Sequence, residues 1–313
     1  MSRKLISIVS PVYRNAESLI ILTNQINDIF DSQLNAKYDY EIIYINDGSD
    51  DGSLDELYRI RILNKHVKIV NFTRNFGQAA ALLAGHNHAR GDAVITISAD
   101  LQDPVSLMPK MINYFEGGSD VVICYRDGRD DGISRKFFSR ITYSILRLSN
   151  INIPLGGFDY YLLSKRAQNT LNSHGQNTSR FFCGDILWPG YSCSMIPYFR
   201  EKRPFGKSQY TFWKKIKSFL DMTLDASYLP IRFITSIGIF TSVLGLLYAF
   251  SIVVSWIFNL SKRPFDGWAP IIVSILVVGG LNMIMMGIVG EYIWRIYDQL
   301  KKRPPYVIDN ITE

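Results

Sequence analysis

The chain has 313 residues, a net charge of +6 and 20% charged residues. Its cysteines, Cys124, Cys183 and Cys193, lack C-x-x-C spacing, which excludes a disulfide framework and fits reduced thiols. Its histidines form no H-E-x-x-H, so no zinc site is expected, and the basic balance comes with no recognised nucleic-acid motif. In chain order, short β-branched runs alternate with helical patterns. Leu5–Ser10 predicts a strand and Ala16–Phe30 a helix. Strand Tyr40–Asn46 precedes helix Leu54–Lys65, and strand Val67–Phe72 precedes helix Gln78–Ala89. Strand Ala93–Ser98, helix Val105–Phe115 and strand Asp120–Cys124 follow. This alternation predicts an α/β domain with a parallel sheet and crossover helices. Solid apolar strands such as Glu41–Ile45 fit a sheet covered on both faces.

Ligands of such sheets bind beyond the carboxyl ends of the strands. Four exits carry polar loops: Pro11–Glu17, Asn46–Gly52, Thr73–Gly77 and Ala99–Pro104. Any one of them fits ordinary turn chemistry. Four in register predict one shared polar cleft. There is no G-x-G-x-x-G after the first strand and no G-x-x-x-x-G-K-[ST] anywhere, which disfavours dinucleotide oxidoreductases and P-loop NTPases.

Two runs in the last third carry no charge: Phe233–Leu260, of 28 residues, and Gly267–Gly290. Each is long enough, as a helix, to cross roughly 30 Å of hydrocarbon. Ser261–Asp266 joins them, which predicts a two-helix transmembrane hairpin. Lys and Arg flank the pair, so the positive-inside bias places the α/β domain and both termini in the cytoplasm of a multi-pass inner-membrane protein. The expected division is a domain over 1–210, an interfacial helix over 211–230, the spans over 231–292 and a tail over 293–313. Ser134–Leu148 has apolar residues at helical spacing among Arg135, Lys136, Arg140 and Arg147, which predicts an amphipathic helix in a headgroup region.

The set Pro11-Val-Tyr13, Asn46-Asp-Gly-Ser49, Arg74-Asn-Phe-Gly77, Asp100-Leu-Gln-Asp-Pro104 and Gly290-Glu-Tyr-Ile-Trp-Arg295 resembles the polyprenyl-phosphate glycosyltransferases of glycosyltransferase family 2. The resemblance covers nearly the whole chain. It implies a GT-A (Rossmann-like) nucleotide-sugar domain and inverting transfer of a sugar, from a donor with a uracil or guanine base, onto polyprenyl phosphate for cell-envelope glycans. It also implies a homo-oligomer, with a tetramer among the options. The cofactor implied is Mg²⁺ or Mn²⁺, with Asp100 and Gln102 as its ligands, and hard oxygen donors suit such ions. Where the family shows Asp-x-Asp, this chain has Ser98-Ala-Asp100.

On the donor side the resemblance implies Pro11, Tyr13 and Asp47 around the nucleotide, with Glu17 and Gln78 nearby, and Arg203 and Lys207 in a loop closing over the pyrophosphate. On the acceptor side it implies Arg126, Arg135 and Ser139 at the lipid phosphate, where the arginine fork is apt. Arg135 and Ser139 are four apart and share a helix face. Tyr160, Tyr161, Cys183, Asp185 and Trp188 are candidates for the sugar pocket. A phosphate monoester is largely deprotonated at neutral pH, so no carboxylate is needed as a strong general base. Two other readings are a transferase extending a lipid-linked oligosaccharide and a non-enzymatic membrane partner that kept the fold.

Overall fold

A computed structural model describes residues 3–126, 157–173, 182–200, 204–205, 269–301 and 303–313, together with residue 154 and part of 235–258. The chain forms two compact units, Met1–Ala226 with Arg303–Glu313, and Ser227–Lys302.

The first unit is built on eight strands: β1 (Lys4–Val12), β2 (Tyr38–Asn46), β3 (Val67–Phe72), β4 (Ala93–Thr96), β5 (Val121–Arg126), β6 (Tyr160–Ser164), β7 (Cys193–Tyr198) and β8 (Ile308–Thr312). They form one sheet in the order β7-β5-β6-β4-β1-β2-β3-β8. The first four strands are parallel, as the β/α alternation predicts. β1 runs beside β2 from Lys4 opposite Tyr38 to Val12 opposite Asn46. The sheet is mixed, however, because β6 runs antiparallel to β4 and β5, and β8 antiparallel to β3.

Helices cover both faces. α1 (Ala16–Ile29), α2 (Ser53–Leu63) and α4 (Met108–Glu116) bury Leu19, Leu22, Leu57, Met108 and Met111 on one side. On the other, α3 (Gln78–His88), α5 (Lys165–Ser173) and α6 (Phe182–Leu187) bury Ala81, Leu83, Leu171 and Phe182. With both faces covered, alternate strand residues gain nothing by being polar, so Ile42, Ile43, Tyr44 and Ile45 are all fully buried. Glu41 is the exception within that run. It is buried, yet Lys68 at 2.8 Å, the Ser7 hydroxyl and the Arg90 amide keep its carboxyl below the usual range despite the cost of burial.

The C-terminal residues add β8 as an edge strand. A buried amide ladder ties it in: Asn46 Nδ2 donates to Asn71 Oδ1 at 2.8 Å, and Asn71 Nδ2 donates to Asp309 Oδ2 at 3.1 Å. Tyr306 stacks on Phe72 at 5.1 Å.

In the second unit, α7 (Ala269–Leu300) has 32 residues. Among the described residues no helix is long and apolar enough to cross a membrane. The expected transmembrane hairpin is therefore corrected, and with it the expected multi-pass inner-membrane localisation with cytoplasmic termini. The run Gly267–Gly290 is not a helix of its own: α7 contains Asn282 and continues past Gly290 through Glu291 to Leu300. An uncharged run measures local hydropathy and does not set where a helix begins and ends. Much of Phe233–Leu260, the joining residues Ser261–Asp266, the predicted helix Ser134–Leu148 and the interfacial segment 211–230 lie outside the described residues.

Removing 303–313 strips β3 of its antiparallel partner and uncovers Phe72. The expected result is a melting temperature lower by about 5–10 °C, the equivalent of a few kcal/mol in a domain of this size. Differential scanning calorimetry of the truncated and full chains checks it, and equal melting temperatures would contradict it.

Candidate active site

The carboxyl ends of the strands make one knitted rim. At the exits of β1 and β2, the Asp47 amide donates to the Val12 carbonyl at 2.9 Å. Arg14 grips Asp50 with two bonds of 2.6 Å, and the Asn15 amide donates to Ser53 Oγ at 2.9 Å. Arg14 has φ +57°, a left-handed conformation these bonds help to hold.

Asp47 joins β2 to the loop after β3. Its Oδ1 accepts from the Phe76 amide at 2.6 Å and its Oδ2 from the Gly77 amide at 3.0 Å. The side chain is buried, and burial raises its pKa against the pull of those two amides and of Arg74. Gly48, at φ +64°, lies against the Arg74–Asn75 peptide, and a Cβ there would fall 2.5 Å from Arg74 C and Asn75 N. The Asn-Asp-Gly triplet is thus a clamp between two loops. Arg74 lies over the Phe76 ring at 4.1 Å.

At the β4 exit, Ser18 Oγ donates to the Ala99 carbonyl at 2.6 Å. Asp100 is buried, and its Oδ1 accepts from the Gln102 amide at 3.2 Å. Its Oδ2 is 3.7 Å from Arg200 Nη2. Leu101, at φ +59°, makes the sharp turn between Asp100 and Gln102. Asp103 is buried, and Tyr198 donates its hydroxyl to Oδ1. Burial raises the Asp103 pKa, with Tyr198 and Arg200 pulling the other way. At the β5 exit, Arg126 pairs with Asp159, and only 11% of its side chain is exposed. Burial opposes the Arg126 charge, but Asp159 and Tyr198 more than offset it and raise its pKa.

Of the residues singled out from sequence, Pro11, Tyr13, Asp47, Asp100 and Gln102 lie on this rim at the exits of β1, β2 and β4. Glu17 is exposed in the first turn of α1. Gln78, the first residue of α3, lines a cavity of ≈ 310 Å³ with Asp159, Tyr161, Phe182 and Cys183. Burial raises the Cys183 thiol to about 12, so it holds no thiolate at neutral pH. Arg135, Ser139, Arg203 and Lys207 lie outside the described residues.

Sequence reasoning passed over Arg200, Asp103 and the partner Asp159 of Arg126. The first two act across long separations, Arg200 on Asp100 and Asp103 on Tyr198, which no local pattern marks. Among the described residues no cluster of three or more His, Cys, Asp or Glu could hold a metal. At the β4 exit the rim offers the Asp100 carboxylate, with Gln102 beside it. Mg²⁺ is commonly held by one or two carboxylates plus substrate phosphates, so this set fits a cation whose shell a diphosphate completes.

The profile of the family described as Glycosyl transferase family 2 matches residues 7–203. A Synechocystis protein named as an uncharacterised glycosyltransferase is 34% identical, over 98% of this chain and 95% of its own. A bactoprenol glucosyl transferase of Shigella phage SfV is 33% identical, over 97% of this chain and 98% of its own. Among solved structures, glucosyl-3-phosphoglycerate synthase from Mycobacterium tuberculosis, bound to Mn²⁺, uridine-diphosphate-glucose and phosphoglyceric acid, superposes with a TM-score of 0.50. It does so at 17% identity, over 70% of this chain and 80% of that one, which marks a shared GT-A-like α/β fold.

Two expected outcomes test this geometry. Gly48→Ala forces a Cβ into backbone at a left-handed φ and should destabilise the chain by roughly 2 kcal/mol or more in urea unfolding. Asp103 has a folded-state pKa above its ordinary 3.8. The native state therefore binds its proton more tightly than the unfolded state, and stability falls as pH rises through that window. Asp103→Asn keeps the acceptor for Tyr198 and removes the charge. Its urea midpoint should exceed wild type at pH 7.5 and lose that advantage at pH 4. A difference independent of pH would assign the effect elsewhere.

Proposed function

Because the chain belongs to glycosyl transferase family 2 and is a glycosyltransferase, we propose that it transfers a sugar, with inversion, from a nucleotide sugar to the phosphate of a polyprenyl carrier. The observation that carries this reading is the bactoprenol glucosyl transferase relative, which matches almost end to end. The uridine-diphosphate-glucose complex of a protein with the same fold favours a uridine donor.

In this reading the donor lies along the rim. The nucleotide is held at the exits of β1 and β2 by Pro11, Tyr13 and the loop that Asp47 secures. Asp47 spends both oxygens on the Phe76 and Gly77 amides. Its contribution is then to fix the shape of the base and ribose site, with its remaining lone pairs open to a donor hydroxyl. Asp100, with Gln102, holds Mg²⁺ or Mn²⁺ together with the donor's diphosphate, and the ion's chemistry is to take up charge on the leaving group. The sugar extends toward the cavity lined by Tyr161 and Cys183, and Gln78 stands at its edge.

The acceptor phosphate meets Arg126. Asp159 already neutralises this guanidinium, so a phosphate competes with a carboxylate for the same fork. Exchange of one anion for another avoids leaving a bare buried charge at any stage. A phosphate monoester is itself the nucleophile and largely deprotonated near neutrality, so the protein's task is to place it in line with the anomeric carbon and to neutralise charge. Arg135 and Ser139, and Arg203 and Lys207 on the donor side, complete the proposed set. A homo-oligomer and association with the surface of the acceptor's membrane belong to the same proposal.

Purified protein is incubated with a panel of nucleotide sugars, Mn²⁺ and undecaprenyl phosphate, and lipids are identified by mass. The expected product is a polyprenyl-phosphate monosaccharide, with kcat lowered about 10²-fold or more in Asp100→Asn. Transfer only onto lipid-linked oligosaccharide, or none with any donor, would refute the proposal.

A further inference from the structure

We propose that Arg200 is a positioning residue that occupies Asp100 until the donor arrives, and so makes divalent-cation binding at this rim depend on a nucleoside diphosphate. The inference rests on the reading of Asp100 as the cation's ligand. Arg200 follows β7 by two residues, on the opposite side of the cleft's polar rim from the β1 and β2 loops. Its guanidinium lies 3.7 Å from Asp100 Oδ2, and the two side chains are 20% and 9% exposed. At that exposure the pair is screened far less than on an open surface. Arg200 Nε is buried and has no hydrogen-bond partner among the described residues. The guanidinium is therefore close to Asp100, yet its Nε is uncommitted among the described residues.

The local charge supplies the rest. The stretch that ends at the β4 exit reads Ser98-Ala-Asp100 and carries a single acid. Asp100 beside the Arg200 guanidinium attracts a dication less than a bare carboxylate would. A cation arriving alone must displace Arg200 or sit beside it against like-charge repulsion. Asp103 lies nearby, but it is buried and accepts the Tyr198 hydroxyl on Oδ1, which turns it toward the protein interior. A diphosphate changes the balance. It brings oxygens that complete the shell of an ion on Asp100, and it offers the freed Arg200 fork a bidentate anion. Asp100 passes from guanidinium to cation, and Arg200 passes from carboxylate to phosphate. Every charge stays paired throughout.

The test titrates Mn²⁺ into the full chain, with and without UDP, following free Mn²⁺ by electron paramagnetic resonance. Wild type should bind Mn²⁺ weakly alone and at least about tenfold more tightly with UDP. Arg200→Gln should bind Mn²⁺ without UDP about tenfold more tightly than wild type, and should lose most of the gain from UDP. Arg200→Lys, which keeps the charge but not the fork, should bind Mn²⁺ alone as weakly as wild type and keep only part of the gain from UDP. Equal Mn²⁺ affinity of wild type with and without UDP overturns the proposal, and that comparison needs no variant. So does an Arg200→Gln chain of native circular dichroism whose Mn²⁺ affinity is unchanged. Asp100→Asn separates the premises: if it binds Mn²⁺ as wild type does, the assignment of Asp100 as ligand fails. Absence of a lipid-linked sugar product would count against the acceptor reading and leave the Mn²⁺ titrations standing.

Discussion

The amides of Phe76 and Gly77 find their acceptors on one buried carboxylate, Asp47, which itself follows a strand buried from Tyr40 to Asn46. A buried carboxylate is costly unless its oxygens are bonded, and here each oxygen accepts from a backbone amide of the β3 exit loop. The bond pair therefore sets the separation of the β2 and β3 exits, and Gly48 lets the two loops touch by leaving out a side chain. The rest of the rim is arranged around that clamp. Arg14 on Asp50 draws in the β1 loop, and Ser18 on the Ala99 carbonyl draws in the β4 loop.

Charge follows the same economy. The carboxylates Asp100 and Asp159 each face an arginine, and Asp103 faces a tyrosine hydroxyl. None is left bare in a half-buried setting, where an unpaired charge would be expensive. Yet the pairs are not saturated: the Nε atoms of Arg126 and Arg200 and one oxygen of Asp103 are buried without partners among the described residues. A rim whose cations are neutralised but incompletely bonded is suited to exchanging its own carboxylates for the phosphates of a substrate, which no rigid, fully satisfied network would permit.

The fold itself was largely legible. Val67–Phe72 is predicted and observed with the same bounds, and α1, α2 and α3 begin within one residue of expectation, because solid apolar runs and helical periodicity are local signals. β6, β7 and β8 were not found. Cys193–Tyr198 and Ile308–Thr312 mix polar and apolar residues without a buried run, being at the two edges of the sheet. The transmembrane hairpin is corrected on a different finding: among the described residues no helix combines the length and the apolar character that crossing a membrane needs.

What the residues alone determined is a polar cleft along the strand exits, since four polar loops in register after apolar strands exceed what turn chemistry needs. Within that cleft, Asp47, Asp100 and Arg126 are named by the resemblance to a family. Only the tertiary structure decided what each of them faces. Arg200 and Asp100 are a hundred positions apart, and Asp159 reaches Arg126 from a strand of opposite direction. Such pairings follow from the strand order β7-β5-β6-β4, a long-range property that hydrophobic burial selects for the whole sheet at once and that no short window of sequence contains.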